Sequence, residues 1–387
     1  KAVRFADDSP ISVTEKKLPP SPRDNTFVEG FKHIRETHLR SDAMVQRRAR
    51  VEALRLDRTC LARAHRDQLA GKFGLESPVR PKNSRPVSEF YATEDADEKK
   101  EMIDRVQKER QALEQIKPIS WNLEATKMLN GGTLLTSPAG KTLFSASEAR
   151  VLDLGGHASC DWAWEVALQY PKTTVQTVYT ADQAPKSKLT GPANHKHTVV
   201  PNLWTLPFPS NHFDIISARS LFALLKTSKP AGRADDEYDL CLKECMRCLK
   251  PGGFLEFALL DADVLKAGPH AQAISVEFGF NLKTRGYDAQ PTKSFLPRLK
   301  RAGFGQMKRA WLALPMARKE GESGSTAEAS CLTGMIGAWA WERWLLKLQV
   351  EMGKDEERLL AEVASAMEEG AECGAAWRYL SGWARKA

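Results

Sequence analysis

The chain has 387 residues and a formal net charge of +8, with 42% apolar and 27% charged residues. That is enough apolar chain for one large core with extensions, or for two domains. No apolar run approaches the roughly 18 residues that span a bilayer, and seven scattered cysteines, an odd number, argue against a disulfide framework and for a reducing compartment.

Residues 1–25 are rich in Pro, Ser and charge and read as a flexible tail. Its first five residues, KAVRF, are similar to the docking motif that binds protein phosphatase 1. Such a peptide adds a strand to a partner's sheet edge while Val3 and Phe5 fill pockets. A chance match is the competing reading of so short a stretch. Residues 26–73 carry Phe27, Phe31 and Ile34 at helical spacing, continued by Val51, Leu54 and Leu61. Nine arginines between Arg35 and Arg66 decorate this stretch. One reading is a helix bound to nucleic acid or to an acidic protein. The other is an amphipathic helix packed on a protein partner or on the main domain. Glu36, Asp42, Glu52, Asp57 and Asp67 break the positive field and favour the second. The first 120 residues hold 25 basic and 20 acidic side chains, a difference small enough for an ordinary solvated surface.

A proline-interrupted connector (residues 76–90) and a charged helix (Asp97–Ile116) complete an extension and linker over 26–116. A further helix is expected over Ser120–Leu135, ending near Gly131-Gly132. From Ala149 onward, strands and helices alternate. ARVLDLG (149–155), TTVQTVYT (173–180), KHTVVP (196–201), FDIISA (213–218) and FLEFALL (254–260) read as strands. CDWAWEVALQY (160–170) and YDLCLKECMRCL (238–249) read as helices, the second closed by a Lys250-Pro251-Gly252-Gly253 turn. This alternation predicts an α/β domain with a mainly parallel sheet between helices. Cys241, Cys245 and Cys248 share one helix face, and the apolar residues between them favour buried thiols over a metal site.

DLGGHAS (153–159), SNHFDIISARSLFALL (210–225) and LKECMRCLKPGGFLEF (242–257) together resemble class I S-adenosylmethionine-dependent methyltransferases. More narrowly, they resemble a fungal branch that includes nuclear regulators of secondary metabolism. The resemblance covers Ala149–Leu260, continues through Ile274–Asp288, and reaches Trp377–Lys386, which reads as the antiparallel last strand. It implies a Rossmann-like seven-stranded domain over 117–387 behind an N-terminal helical extension. It also implies an S-adenosylmethionine site and a nuclear or cytoplasmic location.

The resemblance places the cofactor on Asp153, Gly155, Gly156, His157, Ser159, Tyr179, Asn202 and Leu203. The family's loop reads Asp/Glu-x-Gly-x-Gly-x-Gly, because only bare backbone lets the cofactor approach. Here Asp153 and Gly155 hold their places, His157 and Ser159 stand at the next two glycine places, and Gly156 lies between. His157 reads as lining an altered pocket or as filling it, the latter favoured. The family ends its second strand on a carboxylate for the ribose hydroxyls; here that place is Tyr179, with Asp182 three residues on. Asn202 replaces the aspartate that accepts from the adenine amino group, and Trp204 nearby reads as a core residue rather than an adenine cover. The expectation is weak or absent cofactor binding, no metal, and a silent module working through protein contacts. The alternative is an active methyltransferase of unknown acceptor. No catalytic constellation stands out. Arg219 reads as meeting an acidic ligand or a surface carboxylate, and Asp261 and Asp263 as part of a substrate-loop rim in LLDADVLKAGPH (259–270).

Beyond a sixth strand in GFGQMKRAWLALP (303–315), Trp341, Trp344, Leu345 and Leu348 form one helix stripe, read as core packing.

Overall fold

The computed structural model describes residues 122–143, 148–156, 161–183, 192–316, 325–354 and 360–387, apart from Glu124, Met128 and Ala361. The readings for the tail, the docking peptide, the 26–116 extension, His157 and Ser159 lie outside these residues.

Seven strands form one sheet: β1 (Arg150–Leu154), β2 (Thr174–Thr180), β3 (His195–Val200), β4 (Phe213–Ala218), β5 (Leu249–Leu265), β6 (Met307–Pro315) and β7 (Ala376–Arg385). Their order is β3-β2-β1-β4-β5-β7-β6. The first five pair in parallel, and β7 runs antiparallel to both β5 and β6. Besides helical residues within 122–129 and a 3-10 turn at Ala181–Gln183, eight α-helices among the described residues accompany them: α1 (Ala139–Thr142), α2 (Asp161–Gln169), α3 (Leu221–Leu224), α4 (Glu237–Cys248), α5 (Pro269–Thr284), α6 (Pro291–Arg301), α7 (Ser325–Glu351) and α8 (Val363–Cys373). The order of the strands along the chain is that expected from the sequence, whereas α3, α5, α6 and α8 were not read from it. No described helix is long and apolar enough to cross a membrane.

Each face of the sheet has its own core. One gathers Val151, Val175 and Ile215 under Trp162, Trp164 and Tyr170 of α2 and its end. The other gathers Leu152, Ile216, Leu255 and Phe257 with Phe278, Phe295, Trp341 and Trp344. This is why β1 is buried at every position after Arg150: a central parallel strand is covered on both sides. On the first face, buried Glu256 of β5 accepts from the Ser137 N–H at 2.8 Å and holds the segment before α1 against the sheet.

α4 is built as its sequence suggests. Asp236 caps it by accepting from the Asp239 N–H at 3.0 Å, and Glu237 and Asp239 in the first turn and Arg247 in the last suit the helix dipole. The Lys250–Gly253 stretch is not a separate turn, however. β5 begins at Leu249, opposite Phe213, and the register shifts before Phe254 meets Ile215. Lys250 meanwhile reaches both Asp214 oxygens, at 2.9 and 2.8 Å.

β5 also runs five residues past its expected end, because β7 continues alongside it as far as Leu265↔Ala376. Asp261 and Asp263 therefore lie in a strand, not on a loop. Asp261 is fully buried, accepts from the Thr292 hydroxyl and N–H, and is paired with Arg378 of β7 at 3.0 Å.

α7 and α8 are inserted between β6 and β7. The tryptophan stripe of α7 is core, as expected: Trp341 packs on Trp377 and donates to the Ala262 carbonyl at 3.0 Å, while Trp344 meets Phe222 and Phe278 edge-on.

Cys241, Cys245 and Cys248 are buried, and burial pushes the Cys248 thiol up to about 12. Cys373 is exposed. Brief iodoacetamide treatment of the native chain is expected to alkylate the three buried thiols about 100-fold more slowly than Cys373, since only the thiolate reacts. Peptide mass mapping checks this, and equal labelling of all four would refute the packing.

Candidate functional site

Strands β2, β1, β4 and β5 carry a row of polar residues at one register level: Thr177, Asp153, Ser217 and Glu256. Strand alternation puts all four on the α2 side of the sheet. Asp153 is the centre, 2% exposed. Arg219, just beyond β4, donates to its Oδ1 at 2.6 Å, and the Thr177 hydroxyl lies 3.4 Å from its Oδ2. Burial pushes the Asp153 carboxyl above its usual range, although Arg219 opposes the shift.

Hydrogen positions along this row follow from the donor types. An indole can only donate, so Trp164 Nε1, 3.2 Å away, makes His195 Nδ1 the acceptor. His195 Nε2 then carries the proton and donates to the Thr177 hydroxyl at 2.9 Å. That leaves the Thr177 hydrogen for Asp153. Burial, with the nearby His197, lowers the His195 ring to about 4, so the neutral tautomer required by this chain is the one present near pH 7.

The loop after β1 is stitched to β2: the Gly155 and Gly156 N–H groups both donate to the Val178 carbonyl, at 2.9 and 3.2 Å. Gly155 has φ +66°, a left-handed conformation suited to glycine. A Cβ on Gly155 would stand 2.5 Å from Leu224 Cδ1 and 3.3 Å from Leu203 Cδ1, so two leucines lie over this backbone. A Cβ on Gly156 would stand 2.2 Å from Asp153 Oδ2 and 2.5 Å from Thr177 Cγ2.

Of the sequence-predicted site residues, the structure brings Asp153 against Gly156 and Leu203 against Gly155. Tyr179 is 1% exposed, belongs to the α2-side core, and stacks on His197 at 6.0 Å between ring centroids. Asn202 Oδ1 accepts from the Trp204 N–H at 3.2 Å and so closes its own turn. Trp204 packs partly buried against the main core. Arg219 pairs with the buried Asp153 rather than with a surface carboxylate.

Sequence reasoning missed Thr177, His195, Leu224 and Arg343. Thr177 had a readable signal, since strand alternation sets it two residues before Tyr179 on the same face. The others depend on tertiary neighbours. Among the described residues, no group of three or more His, Cys, Asp or Glu side chains is placed to hold a metal ion.

The strand order, with an antiparallel β7 between β5 and β6, defines the class I methyltransferase fold. Residues 154–257 match the family model of the methyltransferase domain. Residues 154–257 are therefore similar to a methyltransferase domain, within a sheet of that fold. No curated protein matches the chain.

Solved structures similar to it include phosphoethanolamine N-methyltransferase 2 of Haemonchus contortus with phosphomonomethylethanolamine and S-adenosylhomocysteine. It is 16% identical, with a TM-score of 0.36, and the match covers 70% of this chain and 58% of that one. The same enzyme with S-adenosylmethionine is covered to 56%, so the chain spans less than two thirds of these relatives. Geranyl diphosphate methyltransferase with geranyl diphosphate and sinefungin is 11% identical, at TM-score 0.36, covering 66% of this chain and 78% of that one. The YcgJ protein of Bacillus subtilis is 15% identical, at TM-score 0.32, covering 64% and 96%.

Proposed function

We propose that this methyltransferase domain binds S-adenosylmethionine weakly or not at all, and serves as a non-methylating module whose output is an interaction. The observation that carries this reading is the cover on Gly155. The loop backbone that a sulfonium nucleoside would need to approach faces Leu203 and Leu224 instead. The donor set points the same way. Tyr179 is a buried phenol where the family resemblance wants a ribose carboxylate, and one lone pair of the Asn202 oxygen is already used by its own turn. The arginine on Asp153 ties that carboxylate into the sheet rather than leaving it for a ligand.

In this reading residues 26–73 reach a protein partner, with the phosphatase-like KAVRF peptide as a second contact and nucleic acid not favoured. The competing reading, an active methyltransferase, has one observation in its favour: Gly155 and Gly156 are retained and stitched to β2 as a cofactor loop would be. Methyl transfer needs alignment more than a dedicated base, so the absence of an obvious base does not decide the matter.

Titration calorimetry of the full chain with S-adenosylmethionine and with S-adenosylhomocysteine decides it. No saturable heat is expected up to about 1 mM, whereas a Kd of a few micromolar would overturn the closed-site reading.

A further inference from the structure

Arg343 of α7 is 9% exposed, yet it makes no hydrogen bond or ion pair with any described residue. Its only described contact of that kind is with its own helix, the guanidinium lying 5.5 Å from the Trp339 ring centroid. A buried arginine of this sort is uncommon, because guanidinium is not deprotonated at physiological pH and its five donors want acceptors.

A second arginine stands beside it. The residue after Arg343, Trp344, packs on Phe222, three positions beyond Arg219. The two cations are close enough for Arg219 to help burial lower the Arg343 guanidinium to about 10. Arg219 is itself only half used: one Nη2 serves Asp153, while its buried Nε has no acceptor. The Trp162 ring lies 4.2 Å beneath the Arg219 guanidinium, and its indole N–H is also buried without an acceptor. So is the Ser217 hydroxyl, two residues before Arg219 on β4. Two carboxylates face the group. Asp153 is engaged by Arg219, and Asp161, beside Trp162, attracts Arg343 without forming an ion pair with it.

Buried donors without acceptors each cost about 1–3 kcal/mol, and several such donors in one place signal a missing acceptor rather than independent defects. We propose that Arg343 and Arg219, with the Trp162 indole N–H, form a subsite for the oxyanion of a small acidic ligand, a carboxylate or a phosphate. Two guanidinium forks suit a flat or tetrahedral oxyanion, and the tryptophan rings supply apolar walls for the remainder of such a ligand. α7 supplies half of the subsite, so the insertion between β6 and β7 acts here as a ligand-binding element as well as core. The inference goes beyond the closed-site reading and does not need it.

The test is thermal unfolding of the full chain in sodium phosphate and in sodium benzoate, each against sodium chloride of equal ionic strength, with the variant R343M alongside. At least one oxyanion is expected to raise the Tm of the unmodified chain by about 4 °C over chloride. Which of the two does so identifies the chemistry. R343M is expected to lose that response while its own Tm in chloride stays level or rises, because it removes a cation that lacks a partner. No oxyanion response in the unmodified chain overturns the proposal. So does a response that survives in R343M together with a lower Tm, which marks Arg343 as structural only.

Should R343M not fold, R343K carries the test. It keeps the charge but loses the fork, and an apparent affinity about tenfold weaker is expected. Unweakened affinity overturns the subsite. S-adenosylhomocysteine binding that R343M leaves unchanged would defeat the closed-site reading and leave this one standing.

Discussion

Replacing Arg219 by Met is expected to cost the domain about 3 kcal/mol at pH 8 and clearly less at pH 5, because it strips the partner from a buried carboxylate. The pH dependence follows from Asp153. Burial already holds its folded carboxyl above the ordinary aspartate value of 3.8, and Arg219 is the main opposing influence. Without Arg219 the folded carboxyl rises further. A carboxyl raised on folding binds its proton more tightly in the native state. Its contribution is most favourable below the unfolded value near 3.8 and is lost as pH climbs through the folded value. The gap between the original chain and R219M therefore widens from pH 5 to pH 8. Urea midpoints at the two pH values measure it, and an equal gap at both would refute the role given to the pair. Arg219 is 23% exposed at its side chain, so the loss falls at the low end of the range for buried pairs.

Replacing Gly156 by Ala is expected to cost about as much, roughly 3 kcal/mol, through crowding rather than charge. The new methyl would stand 2.2 Å from Asp153 Oδ2 and 2.8 Å from its Cγ. The obstructing carboxylate is itself pinned by Arg219 and Thr177, so it cannot swing aside. Gly155→Ala should cost less despite its left-handed φ, because its nearest obstacle is the end of the Leu224 side chain, which can turn. Gly232→Ala is the control: φ is +73° and nothing lies within 4 Å, so only the backbone preference of about 1 kcal/mol remains. Comparable midpoints for G156A and G232A would show that the carboxylate is not the fixed wall described.

The strand and helix order was legible because the α/β pattern is strong. Buried strands such as VLDL (151–154) and FDIISA (213–218) read as apolar runs, and the aromatic stripe of α7 has helical spacing. What failed was local reading of charge. Asp261 and Asp263 look like loop residues until β7 lies beside them and Arg378 neutralises the first. The same limit applied at the site. Asp153 and the two glycines could be picked out from the family resemblance. The partner of Asp153 could not, since Arg219 is 66 positions away and its role depends on β1 and β4 being neighbours. His195 gave no sign of itself; its part in the row requires α2 and β3 to deliver an indole and a hydroxyl to opposite ring nitrogens. Arg343 sat in plain view within a tryptophan-rich helix whose spacing spoke only of packing.

The strand that sits between β5 and β6 is made after both of them. Until residues 376–385 leave the exit tunnel, β6 has no described strand to hydrogen-bond with, and the far edge of β5 stays open. The nascent chain must therefore carry two uncovered edges while α7 and α8 are made, a state prone to sticking to other chains. A chain cut short before residue 376 would lose two strands from the sheet, not one.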